Sequence, residues 1–505
     1  MELFSTRLVI GTSPRRRVVV AGRRHTRCAR IAISGHHGPQ DLDELEDISN
    51  LHRLILRRRF LTALLTILAA ATLVRAASLP PTQFRSLDLP NGLRALLVEQ
   101  HESPVVNVQV WYHVGSKDEG PGKTGFAHLF EHLMFQGTKN LGPEQFSDYI
   151  VRSGGLDNAY TTEDTTVFWE TIPSSQLPVA LWLEADRMRG LEINEKSFDM
   201  EREVVKEERR SRFDNQPYGT VVETLYKLAY SVHPYHHTPI GSMEDLDRAG
   251  VSDIRQFYDT YYVPNNATLV ITGDFDPREA ETLVQKYFGG LSPGRGLQDR
   301  KIPQEPPQTS KRFDQLTMNV ALPAFVAGYH MPADGTPDAY PLRLAARILS
   351  DGESSRIYRR LVYDRQLALQ AESTGNFTED PNLFFVLAIM NEGHTPAEGE
   401  AEVEAELDRL KREPVSTEEL AKAKNQVLRD FVASRQSVQS LGDELGYAAV
   451  VLKDANLLDT ELDRFLAVTP QDIQRVATKY LVAANETVLE VIPAKAGVES
   501  RKLEK

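Results

Sequence analysis

The sequence predicts an α+β fold of two related domains. Three observations support this prediction: strand-like and helix-like patterns share each region, a proline-rich segment divides the chain into halves of similar size, and the ends of the two halves resemble each other. With 505 residues, 41% hydrophobic and 26% charged, the chain is long enough for two full-sized cores. This composition argues against disordered, collagen-like and multi-span membrane proteins.

The first observation is the alternation of element types. Strands are predicted at 105–112 and at 165–172, where the residue types have high β-propensity. Helices are predicted at 176–188 and in the acid-rich segment 197–212. Because both kinds of element occur in the same regions, a mixed sheet-and-helix fold is expected.

The linker and the repeat are the second and third observations. Segment 292–312 contains four prolines and almost no apolar periodicity, which is typical of a linker. Paired residues near the ends of the halves share one offset of 219 positions, namely Asp253/Asp472, Ile254/Ile473, Tyr261/Tyr480, Val263/Val482, Asn266/Asn485 and Thr268/Thr487. Chance similarity of two helix-then-strand units is the alternative, but so long a period favours duplicated domains over a solenoid.

The N-terminal segment predicts export from the cytoplasm. Three arginines at 57–59 precede a charge-free run at 60–74 and then small residues, which predicts a signal peptide at 57–77 cleaved near Ala76 or Ala77. The run is short for a membrane anchor, which needs about 20 residues, so no stable span is expected after cleavage. We interpret residues 1–56 as a non-native or leader extension. The protein is therefore expected to be periplasmic or secreted, with organelle import as the alternative.

Charge and cysteine content narrow the function classes. Residues 1–76 hold 13 of the 58 basic residues and 6 of the 71 acidic ones, so the remaining chain has a formal charge of −20. A body this acidic argues against nucleic-acid binding. The single cysteine, Cys28, lies in the leader, so any metal must be held by His, Asp or Glu. A charged tail is assigned to residues 498–505.

The most informative stretch is 125–135. His128 and His132 are four positions apart, Glu131 precedes the second histidine, and apolar neighbours at helical spacing predict a largely buried helix. Residues four apart share one helix face, so both imidazoles can bind one metal ion. This is the inverted zincin pattern H-x-x-E-H, in which the carboxylate activates water.

The third metal ligand is expected to be a carboxylate. Catalytic zinc takes three protein ligands and leaves one position open, and both histidines are already used. The helix predicted at 197–212 offers four carboxylates, Glu201, Glu203, Glu207 and Glu208. Glu201 and Glu208 are seven apart and share a face. The alternative for this helix is a solvated, salt-bridged surface, and the donor set leaves manganese and cobalt open as well as zinc.

Together these residues resemble the pitrilysin or insulinase-type inverzincin zinc metallopeptidases. The match is closest to the bacterial relatives of the mitochondrial processing peptidase beta, or catalytic, subunit. It rests on 128–132 followed by Glu208, and it extends over nearly all of 83–495. Further motifs occur in the same order: Val114-Gly115-Ser116, Phe135-Gln136-Gly137-Thr138, Asn158-Ala159-Tyr160-Thr161, His233-Pro234-Tyr235, Ile240-Gly241 and Pro264-Asn265-Asn266-Ala267.

The resemblance implies an architecture. It implies the LuxS/processing-peptidase-like metalloenzyme fold, in which each domain has a mixed, largely antiparallel β-sheet packed by helices. Residues 78–291 would form the catalytic domain and 313–497 an inactive repeat, and the two would make half of a clam-shell chamber.

The resemblance also implies roles for individual residues. One zinc ion per chain would be bound by His128, His132 and Glu208, with Glu131 as general base and Glu201 supporting the ligands. Asn158 and Ala159 would contact the substrate backbone, and an extended peptide is expected to add as a strand along the edge of 165–172. The histidines of His233-Pro234-Tyr235-His236-His237 are interpreted as part of a structural turn rather than a second metal site.

The second half departs from family members that act alone. Those members carry an arginine and a tyrosine seven residues apart that grip the substrate, and the matching positions here are Val362 and Leu369. Neither side chain can donate a hydrogen bond to an oxyanion. Arg356 and Tyr363 have the same spacing, but Arg356 falls at a predicted helix start.

The sequence thus predicts a zinc-dependent endopeptidase that cleaves peptides or unfolded segments. It is expected to be the catalytic subunit of a heterodimer, whose homologous partner lacks the metal motif and supplies the arginine and tyrosine. The alternative is a non-catalytic binding or scaffold subunit.

Overall fold

The computed structural model describes residues 81–294 and 301–494. The predicted extension 1–56, signal peptide 57–77 and tail 498–505 lie outside the described residues. From Thr82 onward the chain belongs to one compact unit. No helix among the described residues is long and apolar enough to cross a membrane.

The first half, as far as the structure describes it, contributes six strands and eight α-helices. The strands are β1 (Arg85–Asp88), β2 (Arg94–Glu99), β3 (Val105–Tyr112), β4 (Leu156–Thr161), β5 (Thr166–Pro173) and β6 (Ala267–Gly273). The helices are α1 (Phe126–Leu133), α2 (Gln145–Arg152), α3 (Leu177–Gly190), α4 (Glu195–Arg209), α5 (Val221–Ala229), α6 (Met243–Arg248), α7 (Val251–Tyr261) and α8 (Pro277–Phe288).

The second half contributes five strands and six helices within the described residues. The strands are β7 (Arg312–Met318), β8 (Ala324–His330), β9 (Ala368–Gly375), β10 (Leu383–Met390) and β11 (Glu486–Pro493). The helices are α9 (Ala339–Ser350), α10 (Pro396–Arg412), α11 (Thr417–Ser434), α12 (Val438–Val450), α13 (Leu457–Ala467) and α14 (Pro470–Tyr480). Residues 301–311 of the predicted linker contain no helix or strand.

The second sheet repeats the order of five strands of the first, which has β1 as an additional edge strand, and this confirms the predicted fold class. The first has the order β1-β2-β6-β3-β5-β4 and the second β7-β11-β8-β10-β9. Each contains one parallel pair, β2 with β6 and β7 with β11, and otherwise antiparallel pairs. Each half is therefore a mixed, largely antiparallel sheet packed by helices.

The halves interlock through α12, which leaves the second domain and packs on the first sheet. Leu441 and Leu445 of α12 are buried in one cluster with Trp111, Val167 and Val270 of the first sheet. The approach is close, because a Cβ at Gly446 would lie 2.2 Å from the Trp111 ring. The opposite face of the first sheet is buried against α1 and α3, so this sheet is covered on both sides.

Candidate metal centre

Helix α1 carries the two predicted histidine ligands. Its apolar face, Phe126, Ala127, Leu129, Phe130 and Leu133, is buried in the first core, which is why this short segment is held as a helix. The other face presents His128 and His132, whose ring centroids lie 4.9 Å apart.

Helix α4 brings the carboxylates to the same place. Asn194 caps it by accepting a hydrogen bond from the N–H of Ser197, so the helix begins near the position that the sequence predicts. Glu201 is buried and Glu208 is half-buried, and both point towards α1. The side chains of Glu203 and Glu207 are 56% and 70% exposed.

Three donor atoms converge between the helices. Glu208 Oε2 lies 3.6 Å from His128 Nε2 and 3.3 Å from His132 Nε2. The three residues can offer ligand atoms that all lie within 4.8 Å of one another. Two imidazole nitrogens and one carboxylate oxygen match the donors of a catalytic zinc site.

Burial and neighbouring charges set the protonation of the three residues, and His128 and Glu208 are in the forms that bind a cation. Burial and the neighbouring His132 lower the pKa of His128 to about 4, which leaves its imidazole neutral and able to bind a metal. Burial opposes a charge on His132, but hydrogen bonds to Glu201 and Glu208 outweigh it and raise the pKa to about 9. The same contact with His132 lowers the pKa of Glu208, which is therefore an anion.

A second group of carboxylates does not fit a metal. Glu400, Glu404 and Glu486 also lie within 4.8 Å of one another. The ammonium of Lys311 occupies their centre and forms ion pairs with all three. Among the described residues this leaves the group on α1 and α4 as the candidate metal site.

Glu131 lies beside the ligands and is held by a residue that the sequence reasoning missed. The Thr161 hydroxyl donates to Glu131 Oε2 at 2.5 Å. Burial raises the pKa of Glu131 above its ordinary value. Thr161 directly follows Asn158-Ala159-Tyr160, so its position in that motif could have indicated that it lies near the site.

Glu201 contacts the ring nitrogen of His132 that faces away from Glu208. Its Oε2 lies 3.2 Å from His132 Nδ1, and its Oε1 accepts a hydrogen bond from Gln136 Nε2 at 2.7 Å. A carboxylate on the far nitrogen of a histidine ligand fixes the tautomer and the orientation of the ring. Gln136 was missed as a functional residue, although it lies in the quoted motif after α1.

The edge of the first sheet beside the candidate site is β4, whose Thr161 contacts Glu131, and not β5; β1 forms the opposite edge. The prediction that a peptide adds along the edge of 165–172 is wrong in this respect, because β5 pairs with both β3 and β4. Within the described residues β4 pairs only with β5. Asn158 and Ala159 are in β4, so they lie on an edge that an added strand can reach.

The histidine-rich segment after α5 forms a short helical turn at Pro234–His236. Tyr235 is buried and donates its hydroxyl to Asp164 Oδ1 at 2.6 Å. His233 Nδ1 accepts from the N–H of Tyr235. These contacts are those of a structural turn. Among the described residues, the groups of side chains that could hold a metal ion do not include the histidines of this turn.

The second half places no hydrogen-bonding side chain at the two family positions. Val362 packs against the second core, and Leu369 is 60% exposed on β9. Arg356 is engaged elsewhere, since its guanidinium forms a two-pronged ion pair with Glu419 at 2.7 and 2.9 Å. Tyr363 is 73% exposed.

Two protein-family models match the chain. The model of the insulinase family, Peptidase M16, matches residues 94–241, and the model of the Peptidase M16 inactive domain matches residues 249–427. Zinc protease PqqE of Helicobacter pylori is 33% identical over 450 residues, which is 88% of this chain and 100% of that protein. The chain belongs to the M16 peptidase family.

Solved M16 structures agree in fold. A protease from Helicobacter pylori superposes with a TM-score of 0.78 at 33% identity, over 82% of this chain and 100% of that one. The periplasmic protease PqqL of Escherichia coli superposes with a TM-score of 0.68 at 20% identity, and the match covers 82% of this chain but 48% of PqqL. The family predicted from the H-x-x-E-H motif and Glu208 is thereby confirmed.

Proposed function

We propose that this M16 chain is a zinc-dependent endopeptidase that cleaves peptides or unfolded polypeptide segments. The observation that carries the proposal is the convergence of His128, His132 and Glu208 beside Glu131, because a binding scaffold needs no base next to three metal ligands. The zinc proteases in the family support zinc as the ion.

Each group at the site has a separate role in peptide hydrolysis. Zinc, when bound, supplies a Lewis acid that polarises the substrate carbonyl and acidifies water. Glu131 accepts the proton of the attacking water, a role for which the hydrogen bond from Thr161 orients its carboxylate. Glu131 then returns the proton to the leaving amine. The substrate lies along β4 as an added strand, so the main chain at Asn158 and Ala159 fixes the scissile bond.

The test is Glu131→Gln, which keeps the side-chain shape and removes the base. We expect cleavage of a quenched fluorogenic peptide to fall about 100-fold or more, while elemental analysis still finds one zinc per chain. Glu207→Gln, an exposed carboxylate on α4, is the matched control and should leave both measurements unchanged. Full activity in Glu131→Gln would contradict the proposal, and an active wild-type chain without zinc would contradict the choice of metal.

We further infer that the active form is a heterodimer. The support is Val362 and Leu369, which cannot donate hydrogen bonds to a substrate, and Arg356, which is already paired with Glu419. A homologous chain without the metal motif would supply the arginine and tyrosine. The peptidase activity of the purified chain should rise when such a partner is added. Equal activity of the chain alone and of the mixture would contradict the heterodimer.

We also propose that the protein works outside the cytoplasm, in the periplasm or after secretion. The support is the predicted signal peptide and the periplasmic relative PqqL. N-terminal sequencing of the mature protein should find a start at Ala77 or Ser78.

A further inference from the structure

The start of the metal-bearing helix α1 is capped from outside. Gly125 precedes the helix with a φ of 91° and has no side chain to accept hydrogen bonds from the first turn. Glu119 supplies the acceptors: Oε2 accepts from the N–H of Gly125 at 2.9 Å, and Oε1 accepts from the N–H of Ala127 at 2.8 Å. One carboxylate therefore fixes the peptide groups immediately before His128.

His237, the last histidine of the turn after α5, holds Glu119 in place. Its Nε2 lies 2.9 Å from Glu119 Oε2, and the side chains of the two residues are 8% and 0% exposed. A carboxylate this deeply buried needs polar partners to offset its lost hydration. Burial raises the pKa of Glu119, and the contact with Glu119 raises the pKa of His237 against the opposing effect of burial. His237 is thus a donor to the group that caps α1.

The same segment packs directly on the helix start. A Cβ at Gly241 would lie 2.4 Å from the backbone of Gly125. Four residues further on, Asp245 accepts hydrogen bonds from the N–H and the hydroxyl of Thr124, at 3.1 and 2.6 Å. Residues 237–245 therefore leave the first turn of α1 little freedom to rotate.

We propose that Glu119 and His237 are positioning residues for the metal site. By fixing the first turn of α1 they set the place of His128 Nε2 relative to Glu208 on α4. The helix has only eight residues, so a loosened first turn moves its first ligand, and metal sites require donors within about 0.5 Å. The inference rests on the proposed zinc site and assigns a role to the last histidine of the turn.

The experiment replaces His237 in the full chain with side chains whose hydrogen-bond donor lies at different distances from the backbone. The amide nitrogen of His237→Gln can take the place of Nε2, whereas that of His237→Asn stops short and His237→Leu has none. The neighbouring His236→Leu is the matched control. Zinc affinity is measured by competition with a chromophoric chelator, and the melting temperature of the zinc-free chain is measured for each variant.

We expect His237→Asn and His237→Leu to bind zinc about 10- to 100-fold more weakly, and His237→Gln and His236→Leu to stay near wild type. If the leucine variant does not fold, the asparagine and glutamine variants carry the comparison. A lowered melting temperature with unchanged zinc affinity would overturn the inference, because it would show a merely structural role. A wild-type chain that binds no zinc would overturn the proposed function as well.

Discussion

At the scale of single residues, each of the three carboxylates at the candidate site has a partner that orients it. Glu208 is held by Arg212 on its other oxygen at 2.7 Å, Glu201 by Gln136, and Glu131 by Thr161. These contacts matter because carboxylates have several low-energy rotamers, and a base or ligand is effective only in one of them. The supporting residues are therefore as informative for mutagenesis as the ligands.

Thr161→Val should lower kcat by about 10- to 100-fold without loss of zinc. The substitution keeps the shape of the side chain but removes the hydroxyl that orients Glu131, and small misplacements of a reacting group are costly. Thr161→Ser restores the hydroxyl and should recover most of the activity. Peptide cleavage and zinc content of both variants check this, and a fully active valine variant would contradict it.

At the scale of elements, the second half differs from the half that carries the candidate metal site. Helix α9 follows β8 as α1 follows β3, and α11 is the second α-helix after β10 as α4 is the second after β5. Arg343 and Arg347 on α9 are four residues apart, like the two histidines of α1, and Arg347 pairs with Asp430 of α11 at 2.8 Å. They line a cavity of about 690 Å³. The ion pair between Arg347 and Asp430 links α9 to α11 in the second half.

Asp338, just before α9, ties this helix to α14 and predicts a pH dependence. It contacts Arg475, Lys479 and Tyr480, at 2.6, 2.9 and 2.8 Å. Burial by itself raises the pKa of Asp338, but the hydrogen bonds from Lys479 and Arg475 outweigh burial and lower the pKa to about 2. A carboxyl with a depressed folded-state pKa stabilises the fold above its unfolded pKa, near 4, and the contribution is lost as the pH falls towards 2.

Asp338→Asn should therefore be less stable than wild type at pH 6, and the difference should shrink between about pH 4 and pH 2. Urea unfolding followed by circular dichroism at a series of pH values measures it. Asp463→Asn, an exposed aspartate on α13, serves as the control. A difference that grows on acidification would contradict the assignment.

At the scale of the whole molecule, the two halves are joined by packing and by buried charges. Besides the α12 interface, Lys117 of the first half, 4% exposed, pairs with Glu379 and Asp380 of the second half at 2.6 and 3.2 Å. Asp164 of the first half pairs with the same lysine at 2.9 Å. The site helix and the second domain thus belong to one compact unit, and the predicted linker is only one of their connections.

Gly446→Ala should destabilise the chain, although alanine is the better helix former by about 1 kcal/mol. The added methyl group would meet the Trp111 ring at 2.2 Å and force α12 away from the first sheet. Overpacking of this kind costs about 1–3 kcal/mol. Gly190→Ala, in α3 with nothing within 4 Å of its Cβ, should be neutral or stabilising. Thermal melting of both variants decides, and a more stable Gly446→Ala chain would refute the interface argument.

Much of the fold was predictable because local patterns agree with it. The strand at Val105–Tyr112 was placed to the residue, and the helices predicted at 176–188 and 197–212 occur at Leu177–Gly190 and Glu195–Arg209. The sheet edge was not predictable, because a strand's neighbours are set by long-range pairing and the high propensity of β5 reflects an interior place. Thr161 and Glu119 were not predicted as functional residues. The side chains that they contact, Glu131 and His237, lie 30 and 118 positions away, and no sequence periodicity links residues that far apart.

The sequence by itself determined which residues can bind a metal and act as a base, since ligand chemistry and helical spacing are local properties of 128–132. Through the resemblance it also predicted that Val362 and Leu369 stand where related peptidases carry an arginine and a tyrosine. Only the tertiary structure decided that Glu208 reaches both histidines, that β4 is an edge strand beside Glu131 and that His237 contacts Glu119, which caps α1. These depend on packing between distant segments, which no local pattern encodes.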